Sequence, residues 1–376
     1  MRDSNLIFRM GHAAESDWES LTNSCLAQLE PCPKGSNLGF VYVTDILEED
    51  FPLIADKLRD KTGIEDWVGT VGFGVMVGGK EYFDLPAIVS MVGSFPEESF
   101  RIFPTIEKPG DPLPAVIIEW ARRVKPSIGI VHADPRNAYI LDILNSLTDD
   151  TEAYLVGGIT ASRGRPLQIA TKLTEGGVSG VFFSEDVLVL TGLSQGCRPI
   201  SDIHSVTNAQ DNVIFELNGK PAYDVFCADI GQALSRNLGK VGNYVHVALP
   251  VSGDDSGDYL VRNIVGIDPQ NKVIAVGERV ARGDRLIFVK RDGQTAMDDL
   301  NRMLADLKNK LSSPPKAALY YSCVARGPNL FGPESAELKA VQAAIGEQTP
   351  LVGFFANGEI SKNRLYGYTG VLTLFY

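Results

Sequence analysis

The sequence is poor in the residues from which metal centres and disulfide frameworks are built. Its four histidines, His12, His132, His204 and His246, show no His-x-x-x-His spacing. Its five cysteines, Cys25, Cys32, Cys197, Cys227 and Cys323, are scattered, odd in number and free of any Cys-x-x-Cys pair. These patterns exclude the common zinc signatures and argue against a disulfide framework, so neither a metal nor a cofactor is expected. No apolar run approaches the ~20 residues of a membrane-spanning helix, and Met1-Arg-Asp-Ser-Asn-Leu-Ile-Phe8 is too polar for a secretory leader. Positive charge is also short: 35 Lys and Arg face 47 Asp and Glu, a net charge of −12. Nucleic acids and anionic membranes are therefore poor partners. A cytoplasmic location with reduced thiols is the expectation.

What is present is ordinary globular composition. The 376 residues, 44% hydrophobic and 22% charged, suffice for two domains or one large one. A helix over 13–30 is read from Trp18, Leu21, Leu26 and Leu29, with Ser16 or Asp17 as cap. It ends at the breaker cluster Cys32-Pro-Lys-Gly-Ser36. Strands and helices then alternate: strand 38–43, helix 49–62, strand 68–74, helix 113–124, strand 127–132, helix 137–147, strand 153–159. Segments 85–92 and 100–103 read as an antiparallel pair, and 178–183 with 187–193 as a hairpin. Residues 201–250 read as irregular with one helix near 223–237, followed by a meander over 259–289 and an amphipathic helix over 294–311. Gly72-Phe-Gly-Val-Met-Val-Gly78 does not meet the dinucleotide-loop spacing, and no capped helix follows it. The fold class is α/β with mixed sheets, in two lobes of related β-α-β units with helices packed on the sheets.

Three times a strand, a helix and a second strand with a Val-Gly pair follow one another: Val68-Gly69, Val156-Gly157 and Val352-Gly353. Glycine at such a place means close backbone approach or a bulge. Duplication into two related halves facing each other is one reading, and the ordinary rhythm of an α/β chain is the other.

The last sixty residues carry the densest functional signal. Strand Ala317–Cys323 runs into Val324-Ala-Arg326-Gly327-Pro-Asn-Leu-Phe331-Gly332, and after a helix come Gly353-Phe354-Phe355, Gly358-Glu359-Ile360 and Tyr366-Gly-Tyr368-Thr-Gly370. A strand end followed by a Gly/Pro/Asn turn is where open α/β sheets place ligands. Together with Gly196-Cys197-Arg198-Pro199, Glu216-Leu-Asn-Gly-Lys-Pro-Ala222 and Tyr259-Leu-Val-Arg262-Asn-Ile-Val-Gly266, these blocks resemble the FIST family from about residue 37 to the end. The resemblance implies an N-terminal module over 37–219 and a C-terminal module over 220–376, which leaves 1–36 as a helical lead segment. It also implies a sensory role in signal transduction, with an amino acid or related small molecule as ligand and a signalling protein as partner. The chain departs from the family in having Ala325 where Gly is frequent and Tyr366 where His is frequent.

Arg326 is the first candidate for a ligand carboxylate, because its planar fork of donors matches one. The alternative is an arginine that pins its own loop. Glu359 suits a ligand ammonium, so the two would clamp a zwitterion docked between the lobes; alternatively they pair with each other. Gly327, Gly332 and Gly358 would shape the loops, and Phe331 and Phe354 would wall the pocket. Arg262 and Arg198 are further candidates, with Glu216 or Glu359 as partners for Arg262. Cys323 or Cys197 as a nucleophile would make the chain a thiol-dependent hydrolase or transferase, but no histidine is spaced to serve as its base. A buried strand-end cysteine is the plainer alternative.

Overall fold

The computed structural model describes residues 6–235, 241, 244–251 and 259–376. It is an α/β protein with mixed sheets, as expected. It divides into two compact units: residues 1–194, 300–365 and 369–376 form the first, and residues 195–299 with 366–368 the second.

The first unit holds three copies of one pattern and three six-stranded sheets. Copy one runs strand Ile7–Ala14, helix Trp18–Leu29, strand Ser36–Thr44, helix Phe51–Thr62, strand Trp67–Gly72, hairpin strands Gly74–Val77 and Lys80–Phe83, and strand Ala87–Ser94. Copy two repeats the order from Phe100–Ile106 through Ala115–Val124, Ile128–Ala133, Ile140–Thr151, Tyr154–Ile159, Gln168–Ala170 and Lys172–Thr174 to Val178–Phe183. Copy three begins with Val189–Gln195 and re-enters in helix Gly293–Lys310. It continues with Ala317–Cys323, Ala336–Ile345, Leu351–Ala356, Glu359–Ser361, Arg364–Tyr366 and Thr369–Phe375. Between Gln195 and that helix the chain makes the second unit.

Strand order is the same in all three sheets. The two strands joined by a helix lie parallel at the centre (Ser36–Thr44 with Trp67–Gly72, Ile128–Ala133 with Tyr154–Ile159, Ala317–Cys323 with Leu351–Ala356). The last strand of the copy lies antiparallel beside the first of these. On the other side sits the hairpin of a different copy. Copy one lends its hairpin to the third sheet, copy two to the first and copy three to the second, so the exchange closes on itself.

The Val-Gly pairs mark the repeat. A Cβ at Gly69, Gly157 or Gly353 would lie 1.7, 1.8 or 1.7 Å from the carbonyl oxygen of Val41, Val131 or Tyr320 on the neighbouring parallel strand. Only glycine permits that approach. The repeat is thus threefold, neither a duplication into two facing halves nor the mere rhythm of an α/β chain, because the first sheet also has its antiparallel closing strand, Ala87–Ser94.

Helices Trp18–Leu29 and Phe51–Thr62 cover the outer face of the first sheet through Leu21, Leu26, Phe51, Ile54 and Leu58. The first of these is capped by Asp17, which accepts from the backbone N–H of Glu19 and Ser20. Residues read as a helical lead are therefore the first strand and helix of copy one, with Ile7–Ala14 paired along Ala87–Ser94. Two expected hairpins do not form. Ala87–Ser94 and Phe100–Ile106 belong to different sheets, and so do Val178–Phe183 and Val189–Gln195. In each case the closing strand of one copy is followed by the opening strand of the next.

The second unit is a closed antiparallel barrel of His204–Gln210, Val213–Leu217, Val273–Val276, Tyr259–Asp268, Val245–Pro250 and Arg285–Arg291, with the last pairing back to both the fifth and the first. Helix Ala222–Ser235 contributes Phe226 to the barrel core. The stretch read as irregular, 201–250, thus supplies three barrel strands; they are short and one is bulged, which weakens their alternation. Closure leaves fewer free strand edges. Residues 236–237, the end of the helix expected near 223–237, and residues 252–258 lie outside the described residues. No described helix is long and apolar enough to cross a membrane.

Candidate functional site

The helix-to-sheet layer of copy three departs from its two sisters. Register through the three glycines makes Val41, Val131 and Tyr320 equivalent, and two residues on Val43, Ala133 and Ser322. The first two copies put aliphatic side chains under the helix. The third puts a tyrosine and a serine there, and with them a buried ion pair.

That pair is Arg326 with Glu337. Arg326 Nε and Nη2 reach Glu337 Oε1 at 2.8 and 2.7 Å, and both side chains are wholly buried. Tyr320 donates to the same oxygen at 2.6 Å, Ser322 donates to Glu337, and the backbone N–H of Gly327 donates to Oε2 at 3.1 Å. Arg326 also reaches the Ser194 carbonyl oxygen at 3.5 Å and its hydroxyl at 3.3 Å. Its guanidinium carbon lies 5.0 Å from the centre of the Phe331 ring. Satisfied in this way, the pair is tolerable in a low-dielectric layer; an unpaired charge there would not be.

The guanidinium read as the first candidate for a ligand carboxylate is therefore enclosed. The carboxylate paired with it is Glu337, which the sequence reading did not single out. A signal existed: Glu337 lies four residues before Val341, on the buried stripe of helix Ala336–Ile345. Gly327 takes φ +52° and leaves no room for a side chain, since a Cβ would meet the Phe355 ring at 2.7 Å. Gly332, at φ +80°, closes the short helix Pro328–Phe331.

Glu359 is also fully buried. Gly358, at φ +134°, turns the chain out of strand Leu351–Ala356 and into the second sheet, where Glu359 pairs with Gly158. Thr369 donates to Oε2 through its backbone N–H at 3.2 Å and its hydroxyl at 2.6 Å. Oε1 has no hydrogen-bond partner among the described residues. Burial pushes the Glu359 carboxyl up to about 8 against the Thr369 bonds and the Arg326 charge, which pull it down; Glu337 adds repulsion. Glu81, on the hairpin strand Lys80–Phe83, is a further acid near the pair, pushed up to about 7 by burial and then by Glu337.

The remaining candidates are dispersed. Phe354 is buried in the central core, stacked 5.2 Å from Tyr42. Arg262, on the barrel, bonds Glu278 Oε2 through Nε at 3.0 Å, rather than Glu216 or Glu359. Arg198 is exposed on the short strand Cys197–Pro199. Cys323 and Cys197 are both buried, 7% and 3% exposed, which is how small apolar residues behave. No cluster of three or more His, Cys, Asp or Glu with metal-binding geometry occurs among the described residues.

A second constellation was not foreseen. Tyr42, His132 and Tyr321 are equivalent in the three copies, one residue beyond the glycine contact. They meet in the central core, where the Tyr42 hydroxyl lies 3.2 Å from that of Tyr321 and 3.3 Å from His132 Nε2. Burial depresses His132 to about 3, so it is neutral.

Comparison with known proteins agrees with these blocks. A FIST N domain model matches residues 37–220 and a FIST C domain model matches residues 222–362. An uncharacterized protein of Mycobacterium tuberculosis strain H37Rv is 30% identical over 335 residues, covering 82% of this chain and 83% of its own length. An uncharacterized protein of Mycobacterium bovis is 32% identical over 192 residues, 49% of each chain. The solved structure of PurLQS from Thermotoga maritima overlays 98% of this chain and 72% of that one at 8% identity and a TM-score of 0.24, too low to carry an argument. With two adjoining family models spanning nearly its whole length, this chain belongs to the FIST family, whose domains are associated with sensory signal transduction.

Proposed function

We propose that this is a cytoplasmic small-ligand-binding sensory protein, with an amino acid or related carboxylate as ligand, engaged beside the loop after Cys323. The observation that carries the reading is the Arg326–Glu337 pair, sealed in a layer that two sister copies build from aliphatic residues. An apolar replacement of a buried pair is often as stable or more stable, so its presence calls for a role. A ligand carboxylate has the charge and shape to exchange with Glu337 on the guanidinium. Arg326 also holds Ser194, the last residue before the chain leaves the triplicated unit. Exchange at Arg326 would thus bias the backbone at that exit, and a protein partner would read the shifted equilibrium. The thiol-enzyme alternative has less support, since Cys323 is buried in its strand.

A thermal-shift screen of the twenty amino acids tests the reading, because a ligand bound only by the folded state raises its melting temperature. At 10 mM, a ligand with a Kd near 100 μM stabilises by about 2.7 kcal/mol. A folded protein whose melting point moves with none of them is not an amino-acid sensor.

A further inference from the structure

Glu359 has two structural equivalents, and the comparison isolates what is unusual about it. In each sheet the hairpin strand borrowed from another copy pairs with the glycine-bearing strand. Thr70 pairs with Gln168, Gly158 with Glu359, and Phe354 with Val75. The three positions are buried. Gln168 and Glu359 do one structural job in common. Gln168 Nε2 donates to the carbonyl of Gly177, and Glu359 Oε2 accepts from Thr369 at the matching start of its own copy's closing strand. Each side chain latches a hairpin to the strand that follows it.

Gln168 spends both ends of its amide, since Oε1 also accepts from Ser179 at 2.6 Å. Glu359 spends one oxygen and leaves Oε1 bare. An unsatisfied buried acceptor costs free energy, and a latch alone would be better made by an amide, as copy two makes it. Apolar Val75 shows that the position does not require a polar group. A carboxyl with one idle oxygen is therefore retained for something that binds there.

The surrounding charges say what. The charges acting on Glu359 are Arg326 and Glu337, which neutralise each other, while His132, across Gly158 on the same sheet, is neutral. An ionised Glu359 alone would leave the buried site with an unbalanced negative charge, which favours the protonated group in the free protein. A cation brings the balance back to zero; an anion would make it worse.

We propose that Glu359 Oε1 is the recognition point for the ammonium group of the ligand, so that the ligand class is amine-bearing and a simple carboxylate is not bound. The proposal rests on the sensory reading above and narrows it. Entry of R-NH3+ converts Glu359 to carboxylate and releases its proton to solvent. Three N–H donors then serve Oε1 and neighbouring acceptors. Since Glu359 has no exposed atom, the ligand reaches it only as the segments around it part, which links binding to a conformational change.

The test uses the full chain, wild type and Glu359→Gln. The probes are butylamine, agmatine, butyrate, and the L-amino acids. Binding is followed by thermal shift and by calorimetry at pH 7 in phosphate and in MOPS, neither of which is a primary amine. The glutamine keeps the Thr369 latch through its amide oxygen, so the variant melts at or above the wild-type temperature. Amine-bearing probes are expected to stabilise the wild type, to release close to one proton per ligand, and to bind Glu359→Gln at least ~10-fold more weakly. Stabilisation by butyrate alone would overturn the ammonium site and leave the sensory reading standing. Equal affinity of wild type and variant for an amine probe would overturn it as well, by placing the site elsewhere. No response to any probe would overturn both.

Discussion

Tyr42 and Tyr321 stand at the same position in two copies of one repeat, and their hydroxyls meet 3.2 Å apart in the middle of the molecule's larger unit. His132, the third equivalent, closes the group on Tyr42. A threefold repeat brings equivalent side chains together at its centre, and here the sequence made all three polar. Removing one partner leaves the others buried and short of a hydrogen bond. Tyr42→Phe should therefore cost about 1–3 kcal/mol in urea unfolding, with an unchanged m-value. A loss below ~0.5 kcal/mol would mean the hydroxyls gain nothing from each other.

His132 also makes stability fall with acid. Its folded value near 3 lies below the unfolded value of 6.5, because burial disfavours the cation. The unfolded chain then binds the extra proton, so the stability present above pH 6.5 declines as pH drops toward 3. Each pH unit below ~6 removes up to about 1.4 kcal/mol through this residue. His132→Asn should flatten the curve between pH 6 and 4, although it lowers stability at pH 7. An unchanged slope would show that His132 is not the group responsible.

The ion pair Arg326–Glu337 predicts opposite outcomes for half and whole removal. Glu337→Ala strands a buried guanidinium and should cost about 3–5 kcal/mol. The double variant Arg326→Met with Glu337→Leu should recover part of that loss, because it removes the stranded charge while Tyr320, Ser322 and the Gly327 N–H still lack their acceptor. Both follow from denaturant titration. A double variant less stable than Glu337→Ala would show that the pair is itself a net stabiliser.

The three strand glycines should behave alike. Alanine at Gly69, Gly157 or Gly353 forces a methyl onto a neighbouring carbonyl oxygen and should cost about 3 kcal/mol or more each. Gly79→Ala, whose methyl would meet Lys339 at an ordinary 3.7 Å, is the control and should stay within ~0.5 kcal/mol. If the control loses as much as the strand glycines, close approach is not the cause.

Thiol chemistry separates the sensory and enzymatic readings. Buried Cys323 and Cys25 should react with iodoacetamide far more slowly than half-buried Cys32 and Cys227. For Cys25 burial also pushes the thiol up to about 12, leaving almost no thiolate at neutral pH. Preferential fast labelling of Cys323 would revive the nucleophile.

Alternation of strands and helices was readable because each helix keeps its apolar stripe and each central strand its apolar run; Phe51, Ile54 and Leu58 identify their helix unaided. The three Val-Gly pairs were readable too, since glycine inside a strand points to a close approach or a bulge. Pairing was not. Adjacent segments such as Ala87–Ser94 and Phe100–Ile106 look like hairpins, and nothing local says that they close one sheet and open another. The site divides in the same way. The loop Arg326-Gly327 announced itself by composition, whereas Glu337 sits in an ordinary helix and gains its meaning only from the guanidinium above it.

By itself, then, the sequence determined most helices and central strands of the triplicated unit, the repeat's glycine marks, the family and the acidic character of the chain, because these depend on neighbours along the backbone. Tertiary structure alone decided that the repeat is threefold, that Arg326 is spent on Glu337, and that one oxygen of Glu359 is left idle. Those facts depend on which distant groups share a buried space, and desolvation there sets the energy of every charge.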